Sequence, residues 1–242
     1  IEKLSGAIKN ALQTGEGCSV YICGNPGGGK TVSVEAVLNS IIISKSHNRL
    51  PASDLDGLGF RVIKLIGVDF RSSLAVYSEI AHRIGLLTSN TSNDDAKQLV
   101  MDYFRRQPRL VDFDSNNADT DDNNLSIEFN NQRQHAGSKK RRRGDDDKVP
   151  MTVLVMDEMD LCMREVSKEL FLLASSDPIS AKNSPNHPGG SSNRKEESME
   201  RNYSSLIFVG IGNEINYPTT LNLPHHALPS LQIVFSVYNN ET

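Results

Sequence analysis

Eight residues, Gly24-Asn25-Pro26-Gly27-Gly28-Gly29-Lys30-Thr31, limit what this chain can fold into more than any other stretch. They fit the pattern G-x-x-x-x-G-K-[ST], whose glycines let backbone N–H groups converge on a phosphate. The pattern works in one setting: behind a buried strand and at the start of a helix, where the helix dipole adds to the pull on an anion. Both flanks comply. Ser19 to Cys23 is a short apolar run ending in glycine, as a buried parallel strand would be. From 29 to 44 the apolar residues Val34, Val37, Leu38, Ile41 and Ile42 follow a helical period. In that setting Lys30 reaches the outer phosphates and Thr31 presents its hydroxyl to Mg²⁺.

The rest of the chain alternates in the same way. Residues 1–12 carry Leu4, Ala7, Ile8, Ala11 and Leu12 at helical spacing. Apolar runs at 60–68, 151–156, 205–211 and 232–235 read as further strands. Helices are expected at 72–86, 94–106 and 164–174, the first capped by Ser72 or Ser73. Strands that alternate with helices predict an α/β fold of three layers around a central parallel five-stranded sheet. Two stretches break the scheme. Residues 107–148 are rich in Asn, Asp and Arg, and 176–202 in Ser, Asn, Pro and Gly. Neither holds enough apolar side chains to offset ordering entropy, so both are expected to be disordered insertions in one domain spanning 1–242.

Bulk properties narrow the function classes. A chain of 242 residues suffices for one large α/β domain. The formal net charge of −4 gives no general basic footprint, so contact with nucleic acid falls to a local patch or to regions outside this chain. Three cysteines, Cys18, Cys23 and Cys162, fit no metal spacing and read as reduced thiols. No stretch approaches the ~18 apolar residues of a membrane helix, so no membrane partner is expected. The chain starts at Ile1 and ends at Thr242, and is expected to be a piece of a longer protein.

Two further motifs add chemistry. Val153-Leu154-Val155-Met156-Asp157-Glu158 is an apolar strand ending in two carboxylates. A phosphate loop needs an acid at a neighbouring strand end to hold Mg²⁺, which suits Asp157, and Glu158 is then placed to polarise an attacking water. Asp160 and Glu165 read as acids at helix N-termini. Leu206 to Asn213 is another strand, ending in an amide. Asn213 there either bonds the terminal phosphate or its water, or simply occupies a turn.

The three motifs together resemble a known family. The loop 24–31 is similar to the Gly-x-Pro-Gly-Thr-Gly-Lys-Thr form of AAA+ ATPases. Pro150 through Asp160 resembles the second nucleotide motif of the origin recognition complex's largest subunit and of cell division control protein 6. Gly210-Ile211-Gly212-Asn213-Glu214-Ile215-Asn216-Tyr217-Pro218 resembles that family's Gly-Ile-Ala-Asn-Thr-x-Asp-x-Pro, whose Asn is the sensor 1 residue. The resemblance runs from about Leu4 to Tyr238, interrupted by the two polar stretches.

The resemblance implies an AAA+ base domain with its lid truncated and with ATP and Mg²⁺ as cofactors. Gly24, Asn25, Pro26, Gly27, Gly28, Gly29, Lys30 and Thr31 would bind nucleotide, Thr31 and Asp157 the metal, and Glu158 and Asn213 would be catalytic. It also implies a nuclear ATPase of origin licensing and the cell cycle, working with origin recognition complex subunits and helicase-loading proteins. Such a protein places the ring helicase at origin DNA, with DNA contacts made mainly outside this chain. The Pro-x-x-Val-Leu-Val-x-Asp-Glu-Met-Asp run favours cell division control protein 6. The large origin recognition subunit itself, or a scaffold that binds ATP with little hydrolysis, are the alternatives. One departure bears on that choice: Ser230, in Leu228-Pro229-Ser230-Leu231-Gln232, stands where the family carries an arginine aimed at a neighbour's nucleotide. A clamp loader would show a Ser-Arg-Cys-like sequence there. The bases 139–143 read as a nuclear import signal, a phosphate-contacting patch or a solvating run. Asp145, Asp146 and Asp147 beside them weigh against DNA binding. Ser184-Pro185 reads either as a phosphorylation site or as one of the Ser-Pro pairs common in such loops.

Overall fold

A computed structural model of the chain describes residues 1–46, 59–87, 93–111, 148–175 and 204–236. The interiors of both polar stretches, with the bases at 139–143 and Ser184-Pro185, lie outside the described residues.

Helix α1 (Glu2–Thr14) buries Leu4, Ile8, Ala11 and Leu12, the stripe that its spacing predicts, and stops at Gly15 in a left-handed conformation. Strand β1 (Cys18–Gly24) leads through the glycine loop to α2 (Lys30–Ser46). Strand β2 (Phe60–Ile66) is shorter than its apolar run, because Gly67 to Asp69 tighten into a single 3₁₀ turn. Helix α3 (Ser73–Arg83) is capped by Ser72, whose hydroxyl accepts from the Ala75 N–H at 3.2 Å. Helix α4 (Asn93–Phe104), β3 (Pro108–Arg109), β4 (Val149–Asp157), α5 (Arg164–Ala174), β5 (Leu206–Gly212), the single turn α6 (Tyr217–Thr220) and β6 (Leu231–Phe235) complete the described elements.

The strands run parallel in the order β2-β4-β5-β1-β6, and the five expected strands form this path. The sheet nonetheless has six strands rather than five, since β3 pairs with the start of β4, Pro108 opposite Val149. Two residues in a polar stretch carry no period, so nothing local signals β3. It is held from a distance, with the Val149 N–H donating to Gln107 O at 3.0 Å and the Val111 N–H to Leu12 O at 3.1 Å.

Alternation along the strands builds two cores. Val20 and Ile22 of β1, Val153 and Val155 of β4, and Ile207, Val209 and Ile211 of β5 pack with α1 and α2. Tyr21, Leu154, Met156 and Phe208 face the other way, onto α3, α4 and α5. Both faces of the central strands are therefore dry, which explains their near-continuous apolar runs. Phe208 is fully buried and meets Phe171 of α5 edge-on, with ring centroids 5.1 Å apart. We expect Phe208→Ala to cost about 3–5 kcal/mol, read as a lower denaturant midpoint. A change under about 1 kcal/mol would show that this contact does not join sheet to helix.

Candidate functional site

Strands β4, β5 and β1 are neighbours, and their register sets Met156 opposite Gly210 and Gly212 opposite Cys23. Their carboxyl ends therefore bring Asp157, Asn213 and Gly24 to one edge of the sheet, the edge where ligands bind in open parallel folds. Beyond β1 the loop turns sharply. Gly27 and Gly29 take φ values of 76° and 80°, which side chains with a Cβ rarely adopt. The loop then enters α2 at Lys30, so the first amides of the helix point out of its N-terminus without intrahelical acceptors.

Lys30 is only 8% exposed. Its Nζ donates to Gly24 O at 2.8 Å, to Asn25 O at 3.0 Å and to Asn213 Oδ1 at 3.0 Å. An ammonium has three donors, and all three are satisfied, as burial demands. The bond to Asn213 joins the glycine loop to the end of β5 and leaves the Nδ2 end of that amide to donate elsewhere. The Thr31 hydroxyl donates to Asp157 Oδ2 at 2.7 Å, and Asp157 Oδ1 accepts the Glu158 N–H at 2.9 Å.

Glu158 has φ 52° and ψ 41°, a left-handed conformation costing of order 1–3 kcal/mol in a residue with a side chain. Such strain collects at working sites, and here it lets β4 end abruptly, with the carboxylate exposed on the rim.

A pocket of about 360 Å³ lies between these pieces, lined by Pro26 to Val32, Asp157, Glu158, Gly212 and Asn213. Of the expected site residues, Pro26, Gly27, Gly28, Gly29, Lys30, Thr31, Asp157, Glu158 and Asn213 line it. Gly24 and Asn25 stand behind, offering carbonyls to Lys30. Asn213 lies in a bend after β5, and its side chain meets Lys30. The chemistry suits a polyphosphate with a hard cation: backbone amides and an ammonium for the anion, a hydroxyl and a carboxylate for the metal. Among the described residues no group of three or more His, Cys, Asp and Glu side chains forms a cage of its own.

Asp160 does stand in the first turn of a helix, a short 3₁₀ one, and it makes a further contact there that its position does not suggest. It lies in the 3₁₀ turn Met159–Leu161, and its Oδ2 accepts the Asn213 N–H at 3.0 Å. Only a fold that sets β4 beside β5 reveals this contact. Glu165 does sit in the first turn of α5. Ser230 is exposed, and its hydroxyl donates to Ser19 O at 2.7 Å.

No protein-family model matches the chain. It is 27% identical over 99 residues, 41% of its own length, to origin recognition complex subunit 1 of Candida albicans, of which this match spans 11%. Its fold is similar to Drosophila ORC in the structure bound to DNA, with a TM-score of 0.51, 19% identity and 98% of this chain covered. It is similar also to the Aeropyrum pernix ORC2 protein in ADPNP–ADP complexes, with a TM-score of 0.52, 11% identity and 98% covered. The chain spans less than half of either structure's chain, 41% and 47%. With the parallel sheet, the glycine loop and the three converging strand ends, these likenesses show that the chain has the AAA+ fold of the origin-recognition and cell-division-control proteins.

Proposed function

We propose that this chain is the ATP-binding base domain of a replication-initiation ATPase, which acts in the nucleus with origin recognition subunits and helicase-loading proteins to place the replicative helicase at origin DNA. The observation that carries the reading is the joining of Lys30 to Asn213 and of Thr31 to Asp157 across one pocket. In it the loop amides and Lys30 hold the β- and γ-phosphates of ATP, the loop carbonyls now on Nζ giving way to phosphate oxygens. Thr31 and Asp157 hold Mg²⁺, which when bound neutralises charge on the phosphates. Glu158 accepts a proton from the attacking water, and the Asn213 amide donates to the γ-phosphate or that water. The test is ATP binding and turnover by the full-length protein with and without its partner subunits. Failure to bind ATP with Mg²⁺ present would overturn the reading.

A specific observation favours one-sided activity. Ser230, bonded back to its own sheet at Ser19, offers a neighbour no positive charge. A trans arginine can be worth on the order of 10³-fold or more in rate. This subunit therefore receives help with hydrolysis and gives little. Ser230→Arg is expected to raise turnover by the adjacent subunit in the reconstituted complex, though by less than an evolved arginine supplies. No change, with the wild-type protein already stimulating its neighbour strongly, would mean that another residue does the job.

A further inference from the structure

Between the end of β5 at Gly212 and the start of α6 at Tyr217 the chain belongs to no strand or helix, and residues 213–216 are exposed. Backbone groups there have no ladder to bond to. Three side chains from three other parts of the sheet take them instead. Asp160, after β4, accepts the Asn213 N–H at 3.0 Å. Tyr21, inside β1, donates its hydroxyl to Glu214 O at 2.6 Å. Gln232, in β6, donates to Ile215 O at 2.7 Å. Three consecutive residues, beginning with the one that touches Lys30, are each pinned from a different part of the sheet, two by strands and one by the turn after β4.

Two glycines make this possible. A Cβ at Gly212 would stand 2.5 Å from the Tyr21 hydroxyl and 3.1 Å from Asp160 Oδ1, so any other residue would push one of them away. A Cβ at Gly210 would meet the sulfur of Met159, which is fully buried and seats the turn that carries Asp160. Glycine inside a strand often marks a close approach, and here both clear space for the same clamp. Asp160 also keeps its Oδ1 buried without a hydrogen-bond partner. A buried unpaired oxygen is destabilising, so stability alone does not account for a carboxylate here. The bond made by its other oxygen does.

We propose that Asp160, Tyr21 and Gln232 are positioning residues that hold Asn213 against Lys30 so that its amide stays aimed into the pocket. The proposal rests on reading the pocket as an ATPase site, because only then does the aim of Asn213 govern a rate. It predicts that loosening the clamp lowers turnover and spares nucleotide affinity, which comes mainly from the glycine loop and Lys30.

The experiment uses the full-length protein in its assembled complex, with three readouts: ATP affinity, ATP turnover, and hydrogen exchange at the backbone amides of 213–217. Asp160→Ala should leave affinity within about threefold of wild type, lower turnover about tenfold and speed exchange at Asn213, whose N–H loses its acceptor. Asp160→Asn keeps an oxygen that can accept that N–H and should recover most of both. Tyr21→Phe, which keeps the buried ring and removes only the hydroxyl, should lower turnover by less and in the same way. Unchanged turnover and exchange in Asp160→Ala would overturn the proposal. So would a loss that follows a lower unfolding midpoint and is not recovered by Asp160→Asn. If the wild-type complex binds ATP without turning it over, the hydrolysis reading fails by itself. Exchange then decides the clamp, which stands if Asn213 protection depends on Asp160 and falls if it does not.

Discussion

Lys30→Ala is expected to weaken ATP binding on the order of 10²-fold or more. Truncating one partner of a buried, hydrogen-bonded charge pair costs about 2–5 kcal/mol, and about 1.4 kcal/mol is a factor of ten. No other cation among the residues lining the pocket can replace it, since the remaining lining residues are glycines, Pro26, Thr31, Val32, Asn213 and two acids. The variant also strips donors from Gly24 O, Asn25 O and Asn213 Oδ1, so the unfolding midpoint must be followed alongside. Affinity that stays within about threefold, roughly 0.6 kcal/mol, would sink the assignment of the loop.

Glu158→Gln separates binding from chemistry. The amide has the size of the carboxylate, and the Glu158 N–H that bonds Asp157 is untouched, so Asp157 and Thr31 keep their places. Affinity for ATP should hardly change. Turnover in the assembled complex should fall by about 10²–10⁴, the usual worth of a positioned general base. A variant that turns over as fast as wild type would show that Glu158 does not activate the water. The left-handed backbone at Glu158 gives a second check on the same residue. Because glycine adopts that conformation without strain, Glu158→Gly should lose the chemistry with little or no loss of stability.

Much of the fold was legible because its signals are local. The apolar stripe of α1, the Ser72 cap and the runs that became β1, β4 and β5 all repeat within a few residues. Helix α5 runs from Arg164 to Ala174, as its spacing predicts. What escaped has no local period. Strand β3 is two residues long and exists because β4 lies beside it. Tyr21 read as one more apolar strand residue, and nothing in its neighbourhood announces that its hydroxyl reaches Glu214, 193 positions away. The one hint was the pair Gly210 and Gly212 in an otherwise bulky strand, read as part of a motif and not as clearance for neighbours.

The sequence by itself determined which groups are available and how the phosphate loop is built. Glycines at 27 and 29, Lys30 and Thr31 are adjacent in the chain, so spacing alone carries their geometry. It also determined the alternation that makes a parallel α/β sheet. Tertiary structure decided which distant groups meet. Lys30 and Asn213 are 183 residues apart and Thr31 and Asp157 are 126, and they come together because β4, β5 and β1 are neighbours that end at one edge. It also made Asp160, an acid in the first turn of a short helix, the acceptor for the Asn213 N–H, and tied the Ser230 hydroxyl to Ser19 O. The physical reason is range. Covalent spacing and helix or strand period act over a few residues, whereas a hydrogen bond between strand ends depends on strand order and register. Those are set by burying two apolar faces at once, over the whole sheet.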